Sequence, residues 1–283
     1  MYTRTGGESV GKKTLYISDL DGTLLSPEPA VTAKTAEILN ALAAKGMNFT
    51  FATARSVYSA VPITSALDIR VPCILMNGVS IYDIRGERYV RNEFIPTEAS
   101  EKVLGAFARH GVECFMYRIE NGVLTCYYEE LTSKVMRSFA EVRKHRYKKP
   151  FVQCRLRDYA DEKAVYFTTT GPYEELAPVK EEIDGIAGTD SAFYLDVYNG
   201  CWYLEVFSDR ASKSNGLRFL REEYGFEEIV AFGDNLNDLP MFEQADLRIA
   251  VGNARDEVKA AADEIIGSNS EDGVARWLES HYA

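Results

Sequence analysis

The strongest constraint in this chain is a short run, Leu15-Tyr16-Ile17-Ser18-Asp19, apolar almost throughout and closed by an acid. Such a run suits a central strand of a parallel sheet, buried on both faces, with polar chemistry at its C-terminal end. Thr32 can cap a following helix that carries Ile38, Leu39 and Leu42 on one stripe, and Gly46 stops it. Met47 to Ala52 and Cys73 to Met76 read as two further buried strands, separated by a segment of helical spacing (Val57, Val61) that Pro62 interrupts. The order βαβαβ predicts an α/β fold with a doubly wound parallel sheet.

After Asn77-Gly78 the pattern changes. Val79 to Asp83 and Glu87 to Arg91 flank a turn at Arg85-Gly86, and a helix begins at Thr97 with Val103, Leu104 and Phe107 and stops at Gly111. Val112 to Ile119 and Val123 to Tyr128 enclose Asn121-Gly122, a strong hairpin signal. A helix over 132–145, a strand from Ala164 to Thr169, a helix over 173–184 and a second Asn-Gly hairpin (Phe193 to Tyr198, Trp202 to Val206) follow. This antiparallel-rich stretch reads as a second domain inserted into the first. Beyond Ser208 the parallel pattern resumes: a helix over 213–224 ending at Gly225, strands Glu228 to Phe232 and Leu247 to Val251, a helix from Asp256 to Ala262, and a last helix opened by Asp272-Gly273.

The length of 283 residues agrees with two domains of about 150 each. The formal charge of −11 argues against a general nucleic-acid binder, because neutralising phosphates needs a basic face. A small anionic substrate at one local site stays open. The five cysteines (Cys73, Cys114, Cys126, Cys154, Cys201) are widely spaced without a C-x-x-C, so they read as buried apolar residues of a reducing compartment. The three histidines lack metal-ligand or triad-like neighbours, which argues against histidine acid–base chemistry. Residues 1–12 are polar and read as a flexible leader without the apolar stretch of a signal peptide. No run of 18 apolar residues occurs, and the expectation is a cytoplasmic protein with no membrane partner.

Chemistry-bearing residues gather where the parallel strands end, which is where open α/β sheets bind ligands. Asp19-Leu20-Asp21-Gly22-Thr23 closes the first strand, Thr53 follows the second, Lys213 opens a helix, and Gly233-Asp234-Asn235-Leu236-Asn237-Asp238 follows a later strand. Four carboxylates, a hydroxyl and an ammonium are the equipment for a divalent metal, a phosphoryl group and a carboxylate nucleophile. Taken singly, each has a plainer reading: an Asp-x-Asp is usually a solvated turn, a Thr after a strand a helix cap, a Lys a surface charge. Asn77-Gly78 is as readily a turn as a substrate contact. The joint order, each group at a strand end or helix start, outweighs those readings.

At these residues the chain resembles the haloacid dehalogenase-like phosphohydrolase superfamily, specifically its Cof-type members (subfamily IIB), over essentially residues 14–280. Asp19-Leu20-Asp21-Gly22-Thr23 resembles the first family motif, Thr53 the second, Lys213 the third, and Gly233-Asp234 with Asp238 the fourth; Ser270-Glu271-Asp272-Gly273-Val274 is similar to the closing stretch of that group. Ala54 stands where the family commonly has Gly between the motif-two Thr and Arg55, which bears on how closely the backbone approaches a phosphate.

The resemblance implies a Rossmann-like core of residues 1–84 and 207–283 with an inserted α+β cap, 85–206, that sets specificity. It implies Mg²⁺-dependent hydrolysis of a small phosphorylated metabolite, such as a sugar phosphate or pyridoxal phosphate, by a monomer or small homo-oligomer. Asp19 would attack phosphorus and form an aspartyl-phosphate; Asp21 would protonate the leaving alcohol and then deprotonate water. Thr53 and Lys213, with Leu20, Gly22 and Ala54 around them, would hold the phosphate oxygens. Asn237 would steady Lys213 or a phosphate oxygen. Mg²⁺ would take the Asp19 carboxylate, the Asp21 carbonyl and Asp234, with Asp238 orienting them. The cap would close over the site and exclude water.

Two other functions use similar parts. A phosphomutase re-transfers the phosphoryl group from the same aspartate. A receiver-like signalling module also combines acids, a Thr and a Lys on a parallel sheet, but its acceptor follows a later strand than its acidic pair and it needs no large insertion. The run Arg143-Lys144-His145-Arg146-Tyr147-Lys148-Lys149 reads first as a solvated face, and otherwise as a funnel for anionic substrates.

Overall fold

The computed structural model describes residues 12–196 and 200–282. The expected leader falls almost wholly outside the described residues, as does Asn199 of the second hairpin turn. The chain divides into two compact units: one holds the described residues up to Phe51, Ala66–Val71 and Leu217 onward, the other Ala52–Ser65 and Pro72–Gly216.

The first unit is built on the expected parallel sheet. Its five strands lie in the order Glu264–Ile265, Leu247–Ala250, Glu228–Gly233, Thr14–Ser18, Asn48–Phe51, all parallel. Leu15 and Ile17 on the interior strand Thr14–Ser18 are completely buried, as a strand covered on both faces requires. Thr32 caps the helix Ala33–Ala44 by accepting from the Thr35 N–H at 3.0 Å. The Thr32 and Thr35 hydroxyls also donate to Asp272 Oδ1 at 2.6 and 2.9 Å, tying this helix to the start of the last one, Gly273–His281. Gly273 has no space for a side chain, since a Cβ there would lie 2.6 Å from the Gly267 carbonyl carbon. The closing motif is thus a structural clasp in this unit.

In the second unit, Cys73–Leu75 pairs antiparallel with Ser80–Asp83, which pairs with Arg88–Asn92. The sequence placed Cys73–Met76 among the parallel strands; its parallel pairing is a single bridge, Ala52 to Ile74. The physical reason is the turn that follows, where Met76, Asn77 and Gly78 take φ of 52°, 53° and 103° and fold the strand back on itself. Pro62 does not end the segment it was expected to interrupt, because Val57–Ile63 forms a short helix with Pro62 in its last turn.

A six-stranded sheet completes this unit, in the order Thr189–Leu195, Trp202–Ser208, Ala164–Gly171, Phe115–Glu120, Val123–Tyr128, Phe151–Gln153. Asn121 and Gly122 sit at φ 52° and 77°, the paired positive values that a two-residue hairpin turn demands. Side chains alternate between two apolar clusters. Met116, Phe167 and Leu204 pack with Val103, Phe107 and Val179 on one face; Phe115, Tyr117, Tyr166 and Tyr203 pack with Met136 and Phe139 on the other. The short strands Phe151–Gln153 and Glu264–Ile265 are edge additions that the sequence pattern does not announce. Among the described residues no helix is long and apolar enough to cross a membrane.

Candidate active site

In the first unit the strand Thr14–Ser18 delivers Asp19 directly: Ser18 is its last residue, and the Asp19 N–H donates to the Phe232 carbonyl at 3.0 Å. The chain then turns through Leu20–Leu24, which Gly22 permits at φ 85°. The neighbouring strand ends at Gly233 and delivers Asp234 beside it. Asp19, Asp234 and Asp238 each present a carboxylate oxygen, and the three oxygens lie within 4.8 Å of one another.

Each acid is held differently. Thr23 Oγ1 donates to Asp234 Oδ1 at 2.8 Å. Asp238 is completely buried, and its Oδ2 accepts from the backbone N–H of Asp234 at 2.9 Å and of Asn235 at 3.0 Å. It therefore fixes the loop on which Asp234 stands. Gly233 makes that possible, because a Cβ there would lie 2.7 Å from the Asp238 Cβ. Asn253 Nδ2 braces the opposite side by donating to the Gly22 carbonyl at 2.7 Å. Asp21 is exposed, and its carboxylate is not one of the three clustered groups. Leu20 is buried, and Asn237 is exposed on the turn Leu236–Asp238.

Clustered carboxylates repel one another without a cation, and an all-oxygen set with a hydrogen-bonded outer acid fits a hard divalent ion. The acidic triad could hold such a metal.

Thr53 and Lys213 belong to the second unit. Thr53 is almost completely buried, donates its N–H to the Ile74 carbonyl at 2.9 Å, and accepts at Oγ1 from the Arg55 N–H at 3.1 Å. Ala54 beside it is exposed and lines a cavity. Lys213 opens the helix Lys213–Tyr224 and is 2% exposed, a rare burial for an ammonium. The residue before it, Ser212, packs on Gly78, where a Cβ would lie 2.7 Å from the Ser212 nitrogen. Asn77-Gly78 is therefore a turn with a second duty, seating the start of this helix.

The cavity beside Ala54 has residues the sequence reading missed. Tyr117, Tyr166, Tyr194, Tyr203 and Glu205 face it from the six-stranded sheet, and Arg143 and Lys149 from the run expected to be solvated. Arg146 and Lys148 are exposed as expected, whereas Lys149 is 8% exposed. The cause is local: Lys148 takes φ 53° at the end of the helix Lys134–Tyr147, and the chain doubles back so that Lys149 turns inward. Burial pushes the Lys149 ammonium down to about 8, against Cys126, which raises it, and with Arg143, which lowers it further. Glu205 is pushed up by burial, opposed by hydrogen bonds from Tyr166 and Tyr194 and by the Arg143 charge. The period-2 spacing of Tyr203 and Glu205 on one strand is a signal that could have exposed this face.

All five cysteines are free thiols. Burial pushes Cys126 up to about 12, which makes it a poor nucleophile.

The family model for haloacid dehalogenase-like hydrolases matches residues 16–278. The chain is 26% identical to pyridoxal phosphate phosphatase YbhA of Escherichia coli, over 93% of this chain and 96% of that protein. Among solved structures it is similar to TM0651 from Thermotoga maritima, with a TM-score of 0.78 and 28% identity over 94% of this chain and 96% of that one. It is also similar to the subclass IIB sugar phosphatase BT4131, with a TM-score of 0.68 and 25% identity over 95% and 98%.

Proposed function

The chain belongs to the haloacid dehalogenase-like hydrolase family, and from that premise we propose a Mg²⁺-dependent phosphatase of small phosphorylated metabolites working through an aspartyl-phosphate. The observation that carries this reading is the cluster of Asp19, Asp234 and Asp238, three carboxylates converging at the ends of adjacent parallel strands. Relatives named as phosphatases, one acting on pyridoxal phosphate and one on sugars, support the substrate class.

Asp19, nearly buried and fixed by its backbone to Phe232, is the nucleophile: its carboxylate forms a bond to phosphorus as the bond to the leaving oxygen breaks. Asp21, exposed two residues on, gives a proton to the departing alcohol and later takes one from the water that cleaves the acyl phosphate. Gly22 keeps the turn open enough for its N–H and that of Leu20 to approach the phosphate. Thr53 lies two residues beyond Phe51, the last residue of its strand. With Lys213 and the backbone of Ala54 it holds the equatorial oxygens, and Asn237 steadies them. Asp19 and Asp234 would hold Mg²⁺ with the Asp21 carbonyl, and Asp238 orients that set through the loop N–H groups. When bound, the ion neutralises charge on the phosphoryl oxygens and on the clustered carboxylates. Residues 85–206 are the specificity domain.

A phosphate-release screen over a panel of sugar phosphates, pyridoxal phosphate and p-nitrophenyl phosphate, with Mg²⁺ and with EDTA, tests the reading. Mg²⁺-dependent release from several of them is expected. Silence toward all of them with Mg²⁺ would overturn it.

A further inference from the structure

Two asparagines from elsewhere in the first unit hold the carbonyls of the turn after Asp19. Asn253 Nδ2 donates to the Gly22 carbonyl at 2.7 Å, and Asn269 Nδ2 donates to the Leu25 carbonyl at 2.9 Å. The two are themselves joined, because the Asn269 N–H donates to Asn253 Oδ1 at 2.9 Å. A carbonyl only accepts and a backbone N–H only donates, so these partners fix which end of the Asn253 amide faces the turn.

Asn253 stands on the loop 251–255, which also grips the acid opposite. The Arg255 N–H donates to the Asp234 carbonyl at 2.9 Å, and the Val251 N–H to the Gly233 carbonyl at 3.3 Å. On its other side the loop packs against the chain ahead of the closing motif, where a Cβ on Gly252 would lie 3.1 Å from the Ile266 carbonyl oxygen and 3.2 Å from the Ser268 nitrogen. One loop thus touches both the turn after Asp19 and the strand end that carries Asp234.

The turn needs such an outside hold. The Leu24 and Leu25 N–H groups donate back to the Asp19 and Leu20 carbonyls at 3.3 and 2.9 Å, while between them Asp21 at ψ 116° and Gly22 at φ 85° leave helical geometry. Glycine takes several backbone conformations at similar cost, so Gly22 does not by itself specify where its carbonyl points. The next residue, Thr23, donates to Asp234 Oδ1, and a rotation of the peptide between them would shift that contact. Asn253 is exposed, so water competes for its amide and the bond adds little to stability; what it supplies is orientation.

We propose, resting on the phosphatase reading, that Asn253 is a positioning residue: its amide, set by Asn269, fixes the Gly22 carbonyl, and with it the placing of the turn after Asp19 against Asp234 and the fit of the acidic cluster to Mg²⁺.

The test uses Asn253→Ala, which removes both bonds, and Asn253→Asp, which keeps the size and the acceptor for the Asn269 N–H but sets an oxygen against the Gly22 carbonyl. Without Mg²⁺, amide exchange at Leu24 and Leu25 should quicken about tenfold in both variants while the urea midpoint stays close to that of the wild type. Mg²⁺ titrated calorimetrically with no substrate present should bind about tenfold more weakly or worse, the range that outer partners of metal ligands command. Asn253→Asp adds a negative charge beside the turn, so charge alone would tighten binding, and weakening there singles out the lost donation. Exchange within about twofold of the wild type overturns the inference. Faster exchange with Mg²⁺ affinity unchanged overturns it as well, leaving Asn253 a brace of the turn and no more. A wild type that binds Mg²⁺ but releases no phosphate from any ester sinks the phosphatase reading alone, since neither readout uses turnover.

Discussion

Gly22 and Asp234 cannot both keep their places if position 22 carries a side chain: a Cβ there would lie 2.8 Å from the Asp234 Cγ, at a φ of 85°. The turn after Asp19 and the acid on the next strand are thus built against each other, and Thr23 completes the contact through Asp234 Oδ1 at 2.8 Å. Gly22→Ala should displace Asp234, lower kcat by about 100-fold or more, and raise the Mg²⁺ concentration needed for half-activation. A Mg²⁺ titration of phosphate release reads both, and wild-type values for kcat and Mg²⁺ requirement would refute the contact's importance.

Asp238 is expected to matter to the fold as well as to turnover. Its carboxylate takes two backbone N–H groups in a completely buried place. Asp238→Ala leaves both donors unsatisfied and should cost about 2–4 kcal/mol, seen as a lower urea midpoint at constant m, together with weaker Mg²⁺ activation. Asp238→Asn keeps the shape and one acceptor and should lose less. Equal midpoints for Asp238→Ala and the wild type would contradict this role.

The neighbouring acids should separate by leaving group. Asp19→Asn should remove turnover on every substrate, whereas Asp21→Asn should spare p-nitrophenyl phosphate, whose leaving group needs little protonation, relative to alkyl phosphates. Equal losses on the two kinds of substrate in Asp21→Asn would exclude Asp21 as the acid.

Lys149 gives a pH signature in stability. Its ammonium is held down to about 8 by burial, with Arg143 opposing and Cys126 favouring the charge. Between that value and its ordinary one near 10.4 the unfolded chain binds more protons than the folded one, so this group's contribution to stability rises as pH rises through the window. Below pH 8 the cost is fully present, about 3 kcal/mol by the linkage relation. Lys149→Met should therefore stabilise the protein at pH 7, with the difference from wild type shrinking toward pH 10. Comparing the two proteins cancels the buried thiols Cys73 and Cys114, which act in the opposite direction over the same range, and leaves only Cys126, whose thiol the Lys149 charge lowers, to add to the difference. A pH-independent difference would show that Lys149 is not held in this way.

The acidic cluster was legible because it sits at strand ends, where strand order and burial leave few places for Asp19 and Asp234 to be. The alternation of apolar strands with capped helices fixed those ends; Thr32 and Gly46, for instance, bound their helix as expected. What escaped was decided by partners remote in sequence. Lys149 sits in a run of charges and looks solvated until the αL turn at Lys148 and the tyrosines of four strands are in view. The edge strands Phe151–Gln153 and Glu264–Ile265 are too short for a period, and only the sheets they join define them. Cys73–Leu75 had the apolar composition of a parallel strand, and the positive φ at three successive residues redirected it.

The most direct measurement is rapid acid quenching of the enzyme turning over ³²P-labelled glucose 6-phosphate with Mg²⁺, followed by peptide mapping. Label should appear on the peptide carrying Asp19, be discharged by hydroxylamine as an acyl phosphate is, and be absent in EDTA and in Asp19→Asn. Label on another residue, or phosphate release by Asp19→Asn at the wild-type rate, would contradict the assignment of Asp19 as the nucleophile.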